Sequence, residues 1–293
     1  MEINAFHSLL QLYSPSFSTE RINQYALCLK PCYQTLEAIA FDLKKEAAVY
    51  YERFSLSKNF SFQEGLPQVA KHHAFLGSSG WKTVVLMESL LPCVQVPADA
   101  FEFSLASELL KLHISNHFEP IQPAYTLHAS LKLINVFACS GVNLQLLQTF
   151  YSGIPLRQVH MSDAILAGLL SMPERLDYRY LHLFVHHHQV TIAFFRAGRL
   201  YLLNTFTFDT PEDLLYYVLF AVFELGLDKK DTELLVWGDI GASFSGRLSI
   251  LQEYFPLVSF GTRPKGIRFD YQFGELEEHA GFEMFSTYHL IHQ

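Results

Sequence analysis

A three-strand pattern occurs twice in this chain, in the same order. Residues 24–56 read as a strand from Tyr25 to Lys30, a turn around Pro31-Cys32-Tyr33, and a strand from Leu36 to Leu43. The charged Lys44-Lys45-Glu46 then breaks the run before a third strand, Ala47 to Leu56. Apolar runs of this length between polar breaks are strand signals. In the third strand Tyr50, Glu52, Phe54 and Leu56 share one face by the period of two. Residues 178–208 repeat the order: Tyr180 to Val185, a turn at His186-His187-His188, Val190 to Phe195, a tight hairpin at Arg196-Ala197-Gly198, and Leu200 to Phe208. Tyr25 aligns with Tyr180, Gln34 with Gln189 and Ala38 with Ala193, a constant offset of 155. The offset falls to 152 after the longer turn at Asp42 to Ala47, which sets Phe54 on Phe206 and Leu56 on Phe208.

Helical signals follow each meander. In Thr210-Pro211-Glu212-Asp213, Thr210 can cap, Pro211 suits the first helical position and Asp213 completes a capping box. Leu214 to Leu225 is then a largely buried helix, and Gly226 a fitting stop. Leu234 to Trp237 is a buried strand ending at Gly238, Ser243 to Tyr254 a helix, and Leu257 to Phe260 a short strand. The first half reads as a helix at Leu66 to Leu76, a strand at Lys82 to Met87, and a helix at Ser104 to His113. Beyond it come a long strand or hairpin at Tyr125 to Cys139, a helix at Val142 to Tyr151, and a strand at Leu156 to His160. A helix capped by Ser162 runs to about Ser171. The order β-β-β-α-β-α-β therefore appears in tandem. The expected division is 1–175, carrying an inserted segment near 62–122, and 176–293, carrying a C-terminal tail. A linker at Pro173 to Asp177 separates them.

Composition bounds what such a chain can do. Hydrophobic residues make up 50% and charged ones 17%, which excludes a disordered chain. Lys and Arg number 21 against 29 Asp and Glu, so the net charge of −8 offers nothing to neutralise phosphates, and no nucleic-acid partner is expected. The cysteines Cys28, Cys32, Cys93 and Cys139 form no CxxC pair, and reduced thiols in a cytosol are the simplest reading. Met1 to His7 show no basic stretch followed by an apolar core, so no signal peptide is expected. The apolar run from Leu214 to Phe223 is far short of the roughly 20 residues a spanning helix needs. The expectation is a cytoplasmic protein with no direct membrane insertion.

The tandem order suggests a ribonuclease-H-like unit duplicated into an actin-like, ASKHA-type α/β fold of two domains. Val96-Pro97-Ala98-Asp99-Ala100-Phe101 resembles the valine-proline segment of an uncharacterised bacterial domain-of-unknown-function family. Leu203-Asn204-Thr205-Phe206, Leu214-Leu215-Tyr216-Tyr217, Gly226-Leu227-Asp228 and Gly238-Asp239-Ile240 resemble its C-terminal half. The resemblance covers roughly residues 20–265 and implies an actin-like ATPase fold, with a nucleotide cleft between the halves. It identifies no reaction.

Such an ATPase needs two phosphate-gripping turns, one between the first two strands of each half. These use glycine for close backbone approach and Asp to help hold Mg²⁺. Here Lys30-Pro31-Cys32-Tyr33-Gln34 holds neither Gly nor Asp, and Pro31 has no N–H. His186-His187-His188-Gln189 also lacks both. With only 15 glycines in 293 residues, the shortage falls where catalysis would need them. The turn Gly238-Asp239-Ile240-Gly241-Ala242-Ser243 has two readings. It is a seat for adenosine, with Gly238, Asp239, Gly241 and Ser243 as cofactor-binding residues, or a plain strand-to-helix turn. Arg157, Arg175 and Arg179 are candidate substitute phosphate ligands.

Other chemistry is thinner. His182, His186 and His188 share parity and would lie on one face of a continuous strand, yet no HExxH or paired Cys completes a metal set, so no metal is expected. His113 and His117 sit at i, i+4 beside a solvated helix end, and His72-His73 reads as surface. Cys139-Ser140-Gly141 follows a strand but is not a nucleophile elbow. No catalytic residue is named. The leading expectation is a degenerate, non-hydrolysing actin-like protein acting as a binding or assembly module, with a protein partner or homodimer and no cofactor. The alternative is a divergent ATP-binding protein or ATPase using ATP and Mg²⁺ in the interdomain cleft. A metal enzyme on the histidine hairpin is a third.

Overall fold

The structure is a computed structural model that describes residues 6–56, 61–113, 121–238, 240 and 245–291. Its chain divides into two compact units. The first comprises Met1–Ala164, Gly266–Glu275 and Thr287–Gln293, and the second Ile165–Lys265 and Leu276–Ser286. The division falls inside a helix, and the last part of the chain contributes to both units.

In the first unit β2 (Tyr25–Cys32), β3 (Thr35–Asp42) and β4 (Ala47–Leu56) form the expected meander. β1 (Phe6–Tyr13), which the sequence did not announce, adds antiparallel to the outer side of β4. β5 (Thr83–Glu88) pairs parallel with β2, and β9 (Leu156–His160) parallel with β5. The sheet order is β1-β4-β3-β2-β5-β9. α1 (Phe62–His72) lies between β4 and β5, and α3 (Gly141–Phe150) precedes β9. Leu27 and Leu29 share one core with Leu66 and Val69 of α1 and Leu147 of α3. The other face is covered by the same unit's C-terminal segment, where Phe41 meets Tyr288 at 5.6 Å.

α1 starts four residues earlier than the apolar spacing suggested. Ser61 accepts from the Glu64 N–H while Glu64 accepts from the Ser61 N–H, a capping box that fixes the start. The first unit also carries a three-stranded sheet, β6 (Cys93–Pro97), β8 (Leu133–Ser140) and β7 (Ile121–His128), in the order β6-β8-β7. α2 (Ala106–Lys111) packs Ala106 and Leu110 against Val136 and Ala138. Set beside the insert expected near 62–122, these surplus elements run from 93 to 140.

The second unit repeats the arrangement. β10 (Tyr180–His186), β11 (Gln189–Arg196) and β12 (Arg199–Thr207) form the meander. β13 (Glu233–Gly238) pairs parallel with β10, and β14 (Val258–Phe260) with β13. The order β12-β11-β10-β13-β14 reproduces β4-β3-β2-β5-β9. α5 (Pro211–Glu224) and α6 (Ser245–Tyr254) take the places of α1 and α3. Leu183, Val185 and Ile192 pack with Leu214, Val218 and Leu251 on one face. On the other, Phe184 stacks on Trp237 at 4.8 Å, and both meet Phe282. Along the chain, the first unit gives way to the second within α4 (Met161–Leu170), between Ala164 and Ile165.

Candidate functional site

The two turns that would grip phosphate are tighter than their sequences suggested. Pro31 and Cys32 continue β2, and the last ladder pair is Cys32 with Thr35. The reversal is Tyr33-Gln34 alone, with Gln34 at φ 61° and the Tyr33 ring mostly exposed. The Pro31 carbonyl accepts the Ser89 hydroxyl at 2.8 Å. Behind this turn lies a closed charge network. Lys30 Nζ is 3.2 Å from Glu37 Oε1, Arg53 is 3.6 Å from the same oxygen, and the Tyr51 hydroxyl donates to Glu37 Oε2 at 2.7 Å. Burial alone would raise the Glu37 carboxyl, but Lys30 and Arg53 outweigh it and hold the group down at about 2.

The second reversal is His187-His188, since His186 still pairs with Gln189. His187 sits at φ 45°, and the Phe208 N–H donates to the His188 carbonyl at 2.8 Å. His186 Nε2 lies 3.6 Å from Glu283. A phosphate cradle presents successive backbone N–H groups from an open loop. Both turns here are two-residue closures with antiparallel pairing up to their ends.

Gly238 is the one predicted cofactor-binding residue among the described residues; Asp239, Gly241 and Ser243 lie outside them. Gly238 closes β13 at φ 93°, and a Cβ there would collide with the Val185 carbonyl oxygen. Its N–H donates to the His279 carbonyl at 2.8 Å. Glycine is thus required for β13 to lie against β10. Arg175 and Arg179 both stack on Tyr180, at 5.2 and 5.5 Å. Tyr180 pairs with Glu233 while Val185 pairs with Gly238, five residues along the same ladder. At about 3.3 Å per residue that is roughly 17 Å, so neither arginine joins Gly238. Arg157 donates to the Leu290 carbonyl in the first unit.

The histidines form no ligand set: among the described residues no three His, Cys, Asp or Glu side chains could hold a metal. His182 is fully buried, donates Nε2–H to the Arg175 carbonyl at 3.0 Å and stacks on Trp237. Burial pushes it down to about 3, so it is neutral. His188 belongs to the turn, not to one strand face with His182. His73 is not a surface residue, because Nε2 lies 3.1 Å from the buried Glu52. His113 is exposed, and His117 lies outside the described residues. Cys139 is buried in β8 with its thiol pushed up by burial, then by Glu88 and Asp163, so it is no nucleophile.

Sequence reasoning passed over one buried cluster in the first unit. Asp163, in the first turn of α4, accepts from four donors: Asn135 at 2.9 Å, His128 at 2.8 Å, Thr126 at 3.0 Å and the His160 N–H at 3.1 Å. Ser162 therefore stands inside the helix rather than capping it, and its Oγ lies 2.7 Å from His160 Nδ1 and 3.4 Å from Cys93 Sγ. Asn135, in the apolar run Leu133 to Ala138, is the local signal that could have pointed here, since a buried amide demands partners.

The chain matches the model of a family described as protein of unknown function (DUF3822) over residues 14–258. A crystal structure from Bacteroides thetaiotaomicron, of a protein with an actin-like ATPase fold and unknown function, superposes with a TM-score of 0.77 at 17% identity, covering 93% of this chain and 98% of that one. The PilM–PilN type IV pilus biogenesis complex contains a chain that superposes with a TM-score of 0.55 at 14% identity, covering 91% and 98%. No curated protein matches the sequence. At these identities the likeness establishes the fold, which is the actin-like one.

Proposed function

The chain belongs to the DUF3822 family, and from that premise we propose that it is a non-hydrolysing actin-like protein working as a binding or assembly module. The observation that carries this reading is the pair of closed turns, Tyr33-Gln34 and His187-His188, without glycine or aspartate at either. Lys30, next to the first turn in sequence, is paired with Glu37. Gly238 has a purely structural reason to be glycine.

A partner surface supports the same reading. On α5, Leu214, Leu215, Val218 and Val222 are buried, while Tyr216, Phe220 and Phe223 are 62%, 44% and 79% exposed. They recur at i, i+4 and i+7 and so share a face, with Tyr216 and Phe220 stacked at 6.3 Å. Beside them Leu219, Val222, Phe223, Leu227 and Lys229 line a depression of about 460 Å³. Aromatic side chains are enriched where proteins meet, which suits a protein partner, a second copy included, while the acidic net charge of the chain disfavours nucleic acid. PilM is solved with PilN, an analogy at the level of fold. Calorimetric titration with ATP and Mg²⁺ tests the proposal against the ATP-binding alternative: a silent titration supports it and a saturable one overturns it.

A further inference from the structure

We propose that Cys93 is a thiol-exchange site, at which its sulfur attacks a low-molecular-weight disulfide and retains one half as a mixed disulfide. The argument starts from a proton path. His160 Nε2 lies 2.9 Å from the Leu91 carbonyl, which can only accept, so Nε2 carries the proton and Nδ1 is the basic nitrogen. Nδ1 faces Ser162 Oγ at 2.7 Å, and that hydroxyl faces Cys93 Sγ at 3.4 Å. The thiol proton passes to Ser162 Oγ as the Ser162 proton passes to Nδ1. Nε2–H keeps the Leu91 carbonyl and Nδ1–H gains Ser162 Oγ, at the expense of the Ser162 N–H that donates to Nδ1 at 3.1 Å before the transfer. The thiolate receives the Ser162 hydroxyl and the Gln95 amide, whose Nε2 lies 3.6 Å away. The Asn135 amide donates to Ser162 Oγ at 3.0 Å and holds the relay in place.

The surrounding charges favour this state on balance. Asp163, on α4, stabilises the imidazolium and opposes the thiolate, and His128 on β7 is committed to Asp163. Burial raises the Cys93 thiol, but the His160 charge, with the Ser162 hydrogen bond, brings it below its ordinary value. Burial lowers His160, but the Cys93 charge raises it to about 9. A thiolate beside a protonated histidine is the microenvironment of reactive cysteines. Cys93 also opens β6, an edge strand, and is only half-buried, unlike Cys28 and Cys139. In the exchange a bond forms from Sγ to one sulfur of the disulfide while the disulfide bond breaks. The leaving thiolate takes the electron pair and the proton held on His160, delivered through Ser162. The low-molecular-weight disulfide is itself the oxidant: Cys93 is oxidised to the mixed disulfide as the departing half is reduced to a thiol.

The test uses the full chain and oxidised glutathione, followed by intact-mass and peptide mass spectrometry across pH. A single glutathionyl adduct on Cys93 is expected, forming at a rate nearly level below the ordinary thiol value of about 8.5. Ser162→Ala is expected to slow the reaction about tenfold near neutrality and to return its pH midpoint towards that value, while circular dichroism stays unchanged. A glutathionyl adduct confined to Cys32, or a wild-type rate that rises with pH like an ordinary thiol's, would overturn the proposal without reliance on any variant. So would a Ser162→Ala protein that reacts like the wild type at every pH.

Discussion

The Lys30 ammonium lies 3.2 Å from Glu37 Oε1 at the base of the first hairpin, and both side chains are almost wholly buried. A buried pair is held by mutual compensation, and removing one member leaves the other's charge desolvated. Glu37→Gln is expected to destabilise the protein by about 3–5 kcal/mol, read from urea unfolding. The double variant Lys30→Met/Glu37→Gln should recover most of that loss. If Glu37→Gln unfolds at the wild-type midpoint, the network does not anchor this hairpin.

Gly238 makes a contrasting prediction. Its positive φ and its closeness to the Val185 carbonyl both oppose a side chain, so Gly238→Ala should cost more than about 2 kcal/mol in thermal unfolding. Gly198 also has a positive φ but open space around it. Gly198→Asn should stay within about 1 kcal/mol, since Asn tolerates the left-handed region. Equal losses at the two positions would refute the close-approach explanation.

His182 sets a pH dependence whose direction is fixed. Its ordinary value is 6.5 and burial depresses it to about 3 in the folded chain. Between those values the unfolded chain binds a proton that the folded one does not, so stability falls as pH drops from 6.5 towards 3. His182→Phe should flatten this part of the curve in denaturant titrations, whatever its effect on absolute stability. His160, raised to about 9, acts oppositely: its contribution is complete below 6.5 and is lost as pH rises through 9. An unchanged acid slope in His182→Phe would show that other groups carry it.

How much of this was legible depends on how local each instruction is. α5 announces itself because Thr210, Pro211 and Asp213 form a capping box with Pro at the first position. Its end is equally local: Gly226 at φ 63° follows the helix, and the Leu227 N–H reaches the Val222 carbonyl at 2.9 Å. The first hairpin is shifted because Pro31 ordinarily signals a turn. β5 pairs with β2 only from Ala26 to Leu29, so beyond it the missing Pro31 N–H costs no bond on that side. β1 hides because its residues do not alternate cleanly in burial. Cys93, Asn135, His160 and Asp163 come from four elements, and only the folded topology unites them. The return of 266–275 and 287–293 to the first unit and of 276–286 to the second has no local signature at all.

The aromatic face of α5 predicts a separation of stability from association. Phe220 and Phe223 make no contribution to the buried core. Phe220→Ser/Phe223→Ser should unfold within about 0.5 kcal/mol of wild type per site, yet lose self-association measured by analytical ultracentrifugation or capture of its protein partner. A large drop in stability, or association unchanged, would remove α5 as the interface.

The most direct measurement is isothermal titration of the wild-type chain with ATP in excess Mg²⁺. With both phosphate turns closed and Lys30 held by Glu37, no saturable heat is expected up to several millimolar nucleotide. A saturable isotherm with Kd below about 1 mM, a free energy stronger than about −4 kcal/mol, would contradict the account and establish the chain as a nucleotide-binding protein.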